Sequence, residues 1–320
     1  SEMCIRDRYN RIRMKDWTSW GTKVREFPAH NYKAIWANLK TIRVGTGVAK
    51  ELPPDMAEFY DVGINTVCNA ECDFCYVSAG HGGINYPDIC ETWKKWMYVY
   101  QSELKDGVLY TSKPFQIAIG STGEPTMHPD FCEFLETVYN TGVVPNYTTN
   151  GLIIARDNVK GGEILAYTKE YVGGVAVSLG NPSIRLQAHR AINKLLTWGN
   201  TNVNIHHIIS DKVSVDEFYD TVVRYGDSIY YHVLLPLMPS GRSNKGIEPG
   251  VFEYLEEIIQ KHDIKNAAFG AHFVEYLKTS KIKTHLYPPE SLSKNVILTK
   301  DKVQITPSSF NLKPIRVINL

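Results

Sequence analysis

Three cysteines within eight residues, in the stretch Cys68-Asn69-Ala70-Glu71-Cys72-Asp73-Phe74-Cys75, constrain this chain more than any other feature. They stand at i, i+4 and i+7, with Tyr76 directly behind. A short polar loop with this spacing can wrap one metal ion or one small cluster. A structural zinc site closes its tetrahedron with a fourth ligand, and a ferredoxin-type cluster takes four thiolates. No fourth cysteine follows at close range; the next is Cys90. Three thiolates on a cubane of four irons leave one iron open, and an open metal site can bind and activate a ligand. The plainer reading is a zinc knuckle completed by a nearby histidine such as His81, or an electron-transfer centre without catalysis.

Such thiols must stay free. Six cysteines in 320 residues are too few and too clustered for a disulfide scaffold, which favours a reducing cytoplasm. Hydrophobic residues at 43% and charged residues at 22% fit a soluble globular protein. A net charge of +1 gives no strong nucleic-acid or anionic-membrane signal. No apolar run reaches transmembrane length, and no secretory pattern opens the chain. Met3-Cys4-Ile5-Arg6-Asp7-Arg8 reads as the translated end of a sequencing adapter, so residues to about Tyr9 are expected to be an artefact and Cys4 to have no chemical meaning.

Along the chain, residues 10–57 mix Trp17, Trp20 and Trp36 with basic residues and end in Leu52-Pro53-Pro54. An irregular or partly helical extension over 1–57 is expected, its aromatics packing on the core. From Glu58 the pattern turns regular. Alternation predicts a strand over 58–66, which delivers the cysteine loop. Apolar residues at three- and four-residue spacing predict a helix over 87–101. Strands are predicted over 115–120, 143–148, 172–179, 202–209 and 229–235. Helices are predicted between them over 130–141, 158–170, 182–198 and 214–225, the last opened by Ser214 with Glu217 as a capping box. Strands alternating with helices imply a parallel sheet of βαβ units over 58–245. Residues 246–320 change character: a helix over 249–262, then a hairpin turning at Thr299-Lys300-Asp301-Lys302.

Cys68, Cys72, Phe74 and Cys75 resemble the signature of the radical SAM enzymes, in which three cysteines are separated by three and two residues with an aromatic before the last. The resemblance implies an α/β fold, a partial (β/α)6 TIM-like barrel, here with an N-terminal extension and a small C-terminal α+β appendage. In barrels of this kind catalytic groups sit on loops after the carboxyl ends of strands, where the cysteine loop falls. It implies a [4Fe-4S] cluster on Cys68, Cys72 and Cys75, and S-adenosyl-L-methionine on the open iron. Reductive cleavage there gives methionine and a 5′-deoxyadenosyl radical that abstracts hydrogen from a substrate. A one-electron reductant such as flavodoxin or ferredoxin is the implied partner.

Further motifs match at strand ends. Ser121-Thr122-Gly123-Glu124-Pro125 resembles the family's Gly-Gly-Glu-Pro turn, with Thr122 where the first glycine is usual. Gly123 lets backbone approach a ligand, and Glu124 is expected to accept from the SAM ammonium; the plain reading is an ordinary turn. Thr148-Thr149-Asn150-Gly151 resembles the family's Thr-Asn-Gly turn, with Asn150 either lining the pocket or only fixing the turn. Ser178 stands where relatives place a polar residue toward ribose or carboxylate. Arg185 or Arg190 could pair with the SAM carboxylate, Arg190 fitting the family spacing better and a solvated arginine being the alternative. Phe74, with Tyr76, is assigned to cofactor contact. Of His206 and His207, adjacent on a strand, one is expected to face the interior and one the helix layer. Arg242 is expected to face cofactor or substrate. Cys90 and Cys132 are expected to pack as small hydrophobes.

The terminal hairpin resembles the carboxyl-terminal module of peptide-modifying radical SAM enzymes, yet no cysteine follows Cys132 to hold auxiliary clusters. That module points to a peptide or protein side chain as substrate, with a nucleoside or other small metabolite as the runner-up.

Overall fold

From Phe59 to Lys261 strands and helices alternate apart from one antiparallel hairpin over 102–111, and the main-sheet strands of this stretch all pair in parallel. The computed structural model describes residues 17–27, 32–45, 59–199, 202–277, 280, 293–307 and 313–320; the adapter-like start lies outside them. Three amino-terminal strands come first: β1 (Thr22–Phe27), β2 (Tyr32–Ala37) and β3 (Lys40–Gly45). β4 (Phe59–Gly63) leads into the cysteine loop, followed by α1 (Ile89–Tyr98). A hairpin of β5 (Ser102–Lys105) and β6 (Val108–Thr111) precedes β7 (Gln116–Ile119) and α2 (Phe131–Asn140). Then come β8 (Val144–Thr149), α3 (Val159–Tyr171), β9 (Gly174–Ser178), α4 (Arg185–Trp198), β10 (Asn202–Ile209), α5 (Lys212–Tyr225), β11 (Tyr231–Pro236) and α6 (Val251–Lys261). The chain closes with β12 (Ala267–Phe269), α7 (Val274–Leu277), β13 (Ser293–Thr299), β14 (Lys302–Thr306) and β15 (Arg316–Asn319).

The main sheet runs β12-β11-β10-β9-β8-β7-β4-β13-β14-β15, open at both ends among the described residues. The expected helix-and-hairpin segment after 245 thus pairs directly with the core. β12 lies parallel to β11, and β13 parallel to β4, the strand that delivers the cysteines. The hairpin turns at Lys300 and Asp301, as the sequence indicates.

Each strand of the sheet offers one face to the helices. β10 alternates half-buried Asn202, Asn204, His206 and Ile208 with buried Val203, Ile205, His207 and Ile209. The buried set packs under the helices. α1 lays Trp93 and Trp96 against the sheet, their rings 5.5 Å apart in an edge contact. Both are fully buried, and a fully buried apolar side chain of this kind contributes about 1.5–3 kcal/mol.

The amino-terminal segment departs from the expected irregular or helical extension. Its described part forms a second sheet in the order β3-β2-β1-β6-β5. Trp17 and Trp36 do pack in a core there, as expected of them. The strand pattern of β1 was masked by buried polar residues: Lys23, Val24 and Arg25 are all buried in succession. Lys23 Nζ donates to Gly142 O at 2.7 Å and sits 3.9 Å from the Trp20 ring centroid, anchoring this sheet to the turn after α2. Burial, with help from Lys113, pushes its pKa down to about 7.

The capping box on α5 lies three residues earlier than expected. Asp211 is the cap, accepting from Ser214 N at 2.8 Å, while Ser214 Oγ accepts from Asp211 N at 3.1 Å. Glu217 is left to bind Arg185.

Candidate active site

The cysteine loop is pinned at both ends before it reaches any ligand. Cys68 N donates to Gly80 O at 3.0 Å, and Cys75 N to Cys72 O at 3.1 Å. The turn after β7 is bonded to the same loop. Glu124 N donates to Val67 O at 2.8 Å, Asn65 Nδ2 to Glu124 O at 2.9 Å, and Thr122 Oγ1 to Asn65 O at 2.6 Å. Thr122, the departure from the Gly-Gly-Glu-Pro pattern, therefore has a job of its own. Space for it comes from Gly63, where any Cβ would fall 2.3 Å from Thr122 Oγ1.

The loop after β11 closes over the cysteines. Arg242 N donates to Cys75 O at 3.0 Å, its guanidinium donates to Cys72 O at 3.0 Å and to Ala79 O, and Ser240 Oγ donates to Tyr76 O at 3.3 Å. Arg242 braces the loop; it does not line the cavity.

That cavity opens beside the three thiols, on the half-buried face of the sheet, and encloses about 1490 Å³ including space open to solvent. Cys68, Cys72, Phe74, Cys75, Tyr76, Gly123, Glu124, Asn150 and Ser178 all line it, so nine of the ten expected site residues, all but Arg190, come together from four strand ends. Strand residues Asp61, Ala118 and Leu235 form its walls, and His206 faces it while His207 turns to the helix layer against Phe218. Tyr76 Oη donates to Ser121 O at 3.1 Å, which ties the aromatic behind the last cysteine to the Glu124 turn.

Glu124 is buried, and its carboxylate accepts from four donors. Oε1 takes Thr126 N at 3.2 Å, Thr126 Oγ1 at 2.5 Å and Thr149 Oγ1 at 2.7 Å; Oε2 takes Asn150 N at 2.7 Å. Burial pushes its pKa up, and the four donors oppose that. Oε1 is filled, so Oε2 is the atom with a lone pair left for a ligand. Asn150 Nδ2 reaches Asn69 Oδ1 at 2.7 Å and, more distantly, Cys68 Sγ at 3.9 Å. Burial also raises the Cys68 and Cys72 thiols, with neighbouring thiols adding to it.

The arginines do not join this constellation. Arg190 is more than half exposed and pairs with Asp157 at 3.5 Å. Arg185 grips Glu217 through two contacts at 2.6 and 2.8 Å, in a separate crevice between α4 and α5. The helix turns that carry them point outward from the cavity rim. Two other residues the sequence did not single out do join it. Asn181 lines the cavity and donates to Cys72 Sγ at 3.2 Å, and His272, on the turn after β12, lines it from the carboxyl-terminal segment. Nothing in the local sequence marks either, because their partners lie far away along the chain.

The donor set fits a cluster better than one ion. Among the described residues no three His, Cys, Asp or Glu side chains stand close enough to enclose a single metal ion, while all three thiols line one wider cavity. His81, the histidine of the zinc-knuckle reading, is exposed and does not line it. Cys90 and Cys132 lie elsewhere in the core, their thiols pushed up to about 11 and about 12 by burial. Among the described residues no helix is long and apolar enough to cross a membrane.

No family model and no curated protein matches the chain. Solved structures do. SuiB of Streptococcus suis bound to S-adenosylmethionine superposes with a TM-score of 0.55 at 14% identity, over 79% of this chain and 60% of that one. SuiB bound to the precursor peptide SuiA gives 0.56 at 15% identity, over 80% and 60%; SuiB alone gives 0.53 at 13%. The chain spans about 60% of the length of these structures, and at such identity the likeness is one of fold, in line with the radical SAM resemblance of the cysteine loop.

Proposed function

We propose that this chain is a radical SAM enzyme built on a partial (β/α)6 barrel. Cys68, Cys72 and Cys75 hold a [4Fe-4S] cluster and Glu124 receives the amino group of S-adenosylmethionine. One observation carries the reading: the cysteine loop and the turns holding Glu124, Asn150 and Ser178 are bonded to one another and line a single cavity. A zinc knuckle has no use for those turns. The cluster and S-adenosylmethionine, when bound, supply one-electron cleavage of a sulfonium C–S bond and a carbon radical that abstracts hydrogen.

The protein's part is binding, orientation and exclusion of water. Phe74, Ile119, Ile184, Ile208, Leu235 and Met238 give the cavity apolar walls. Oε2 of Glu124 is fixed by Asn150 N and ready to accept a charge-assisted bond from an ammonium. Arg242 and Ser240 keep the cysteine loop in place. A peptide or protein side chain is the proposed substrate; the precursor peptide seen on SuiB supports that choice. An external one-electron donor such as flavodoxin or ferredoxin is the proposed partner.

Anaerobic reconstitution is expected to load about four irons per chain, and dithionite with S-adenosylmethionine to yield 5′-deoxyadenosine. One tightly bound zinc without iron–sulfur absorption overturns the reading. Eight irons would show a second cluster site that the cysteine-free segment after Cys132 does not account for.

A further inference from the structure

We propose that Asn181 sets the reduction potential of the cluster held by the three cysteines, through the hydrogen bond from its side-chain amide to Cys72 Sγ. The inference rests on the functional reading above. Asn181 follows β9 and caps the single 3-10 turn Pro182–Ile184. Its Oδ1 accepts from Ser183 N at 3.0 Å and from Ser183 Oγ at 2.7 Å. That fixes the amide's orientation: the oxygen faces the turn, so the NH2 must face the cysteine loop. There it donates to Ala70 O at 3.1 Å and to Cys72 Sγ at 3.2 Å. A flipped amide would set oxygen against the Ala70 carbonyl and an NH2 against the Ser183 donors, so the network itself selects the donor.

Reduction adds one electron to a cluster and spreads it over the sulfurs. A donor held against a ligating sulfur stabilises that added charge and makes reduction easier; this is one of the levers by which proteins set such potentials. The corresponding contact at Cys68 is weaker. Asn150 Nδ2 stands 3.9 Å from that sulfur and is committed to Asn69 Oδ1 at 2.7 Å. Cys72 is therefore the position at which a single side chain has most leverage. Because Asn181 lines the cavity at the same time, the competing role is direct contact with S-adenosylmethionine.

Two substitutions separate tuning from scaffolding. Asn181→Ser and Asn181→Asp both keep a side-chain cap for the Pro182 turn, since serine and aspartate cap as well as asparagine. Serine removes the donor to Cys72; aspartate removes it and adds a negative charge beside the sulfur. Reconstituted proteins are compared by iron content, by potentiometric titration followed by EPR, and by S-adenosylmethionine titration. The expected result is full iron loading in all three, with midpoint potentials falling from the unmodified protein to Asn181→Ser to Asn181→Asp. Equal midpoints overturn the proposal, as does a change in S-adenosylmethionine affinity with midpoints unmoved. Loss of iron from both variants overturns it too, making Asn181 a scaffold of the loop. These outcomes leave the enzyme reading intact, whereas an unmodified protein that takes up no cluster defeats both.

Discussion

Glu124 holds a turn together and, in the function proposed for it, also receives a ligand. Four donors converge on its carboxylate, three of them on Oε1. Glu124→Gln can keep its oxygen toward Thr126 and Thr149, but its NH2 then meets Asn150 N–H, two donors face to face. A buried unsatisfied donor costs about 1–3 kcal/mol, so the apo variant is expected to melt at lower temperature than the parent. The same exchange removes the acceptor for an ammonium, worth about 1.5–3 kcal/mol, or roughly ten- to a hundredfold in S-adenosylmethionine affinity. Calorimetry on the apo protein and an EPR-monitored titration on the reconstituted one read the two effects apart. A lower melting temperature with unchanged affinity would reduce Glu124 to a turn residue. At this scale the sequence was legible where the residues that line the cavity sit close together along the chain. The cysteines and the Gly-Glu-Pro turn carry their spacing with them. Asn181 does not, because it meets Cys72 across 109 positions, and no local pattern records such a contact. Arg190 illustrates the converse: spacing along a helix suggested a ligand, but the helix turns that side chain toward Asp157.

Among elements, the parallel strands and their helices were readable because their faces are apolar and periodic. The β5–β6 hairpin was missed although it carried a signal. Asp106-Gly107 takes positive φ at both positions, 50° and 77°, as expected of a two-residue turn of the Asp-Gly type. The strands of the amino-terminal sheet were illegible for a different reason: Lys23 and Arg25 are buried, so alternation of polar and apolar residues could not reveal them. Arg242, on the loop after β11, is expected from the sequence to face cofactor or substrate, yet it braces the cysteine loop. Gly241 has φ of 64°, and a Cβ there would lie 2.1 Å from Cys75 O and 2.5 Å from Tyr76 C. Backbone cannot yield by so much without moving the cysteines. Gly241→Ala is therefore expected to fold, with its far-ultraviolet circular dichroism unchanged, and to bind several-fold less iron on reconstitution. Full iron loading in that variant would show that the loop does not brace the cluster ligands.

At the scale of the whole molecule, the sheet sorts its side chains between a ligand-facing cavity and a helix-covered core, and three histidines fall in that division. His206 faces the cavity, while His207 and His232 lie buried beneath α5 on neighbouring strands. His207 Nε2 and His232 Nδ1 are 3.1 Å apart, their rings stacked at 28° and flanked by Phe218. One nitrogen of such a pair must donate and the other accept, so the accepting ring is neutral, and burial keeps the donating ring neutral as well. Burial pushes His232 down to about 4 and His207 well below its ordinary 6.5, the latter with help from the neighbouring imidazoles. The unfolded chain takes up protons at these rings below about pH 6.5 while the folded chain does not. Stability is thus fully present above pH 6.5 and is lost as pH falls toward 4. For His232 alone the shift corresponds to roughly 3 kcal/mol. Replacing both partners, His207→Leu with His232→Leu, removes the titrating pair without leaving one ring unpaired, which at neutral pH is expected to change stability little. Urea unfolding of the apo protein at pH 7 and pH 4.5 tests this. The parent is expected to lose at least about 2–3 kcal/mol more than the double variant between the two conditions, the share of His232 alone, with His207 adding to it. Equal losses would mean that the pair accepts a proton without unfolding, and that acid sensitivity originates elsewhere in the chain.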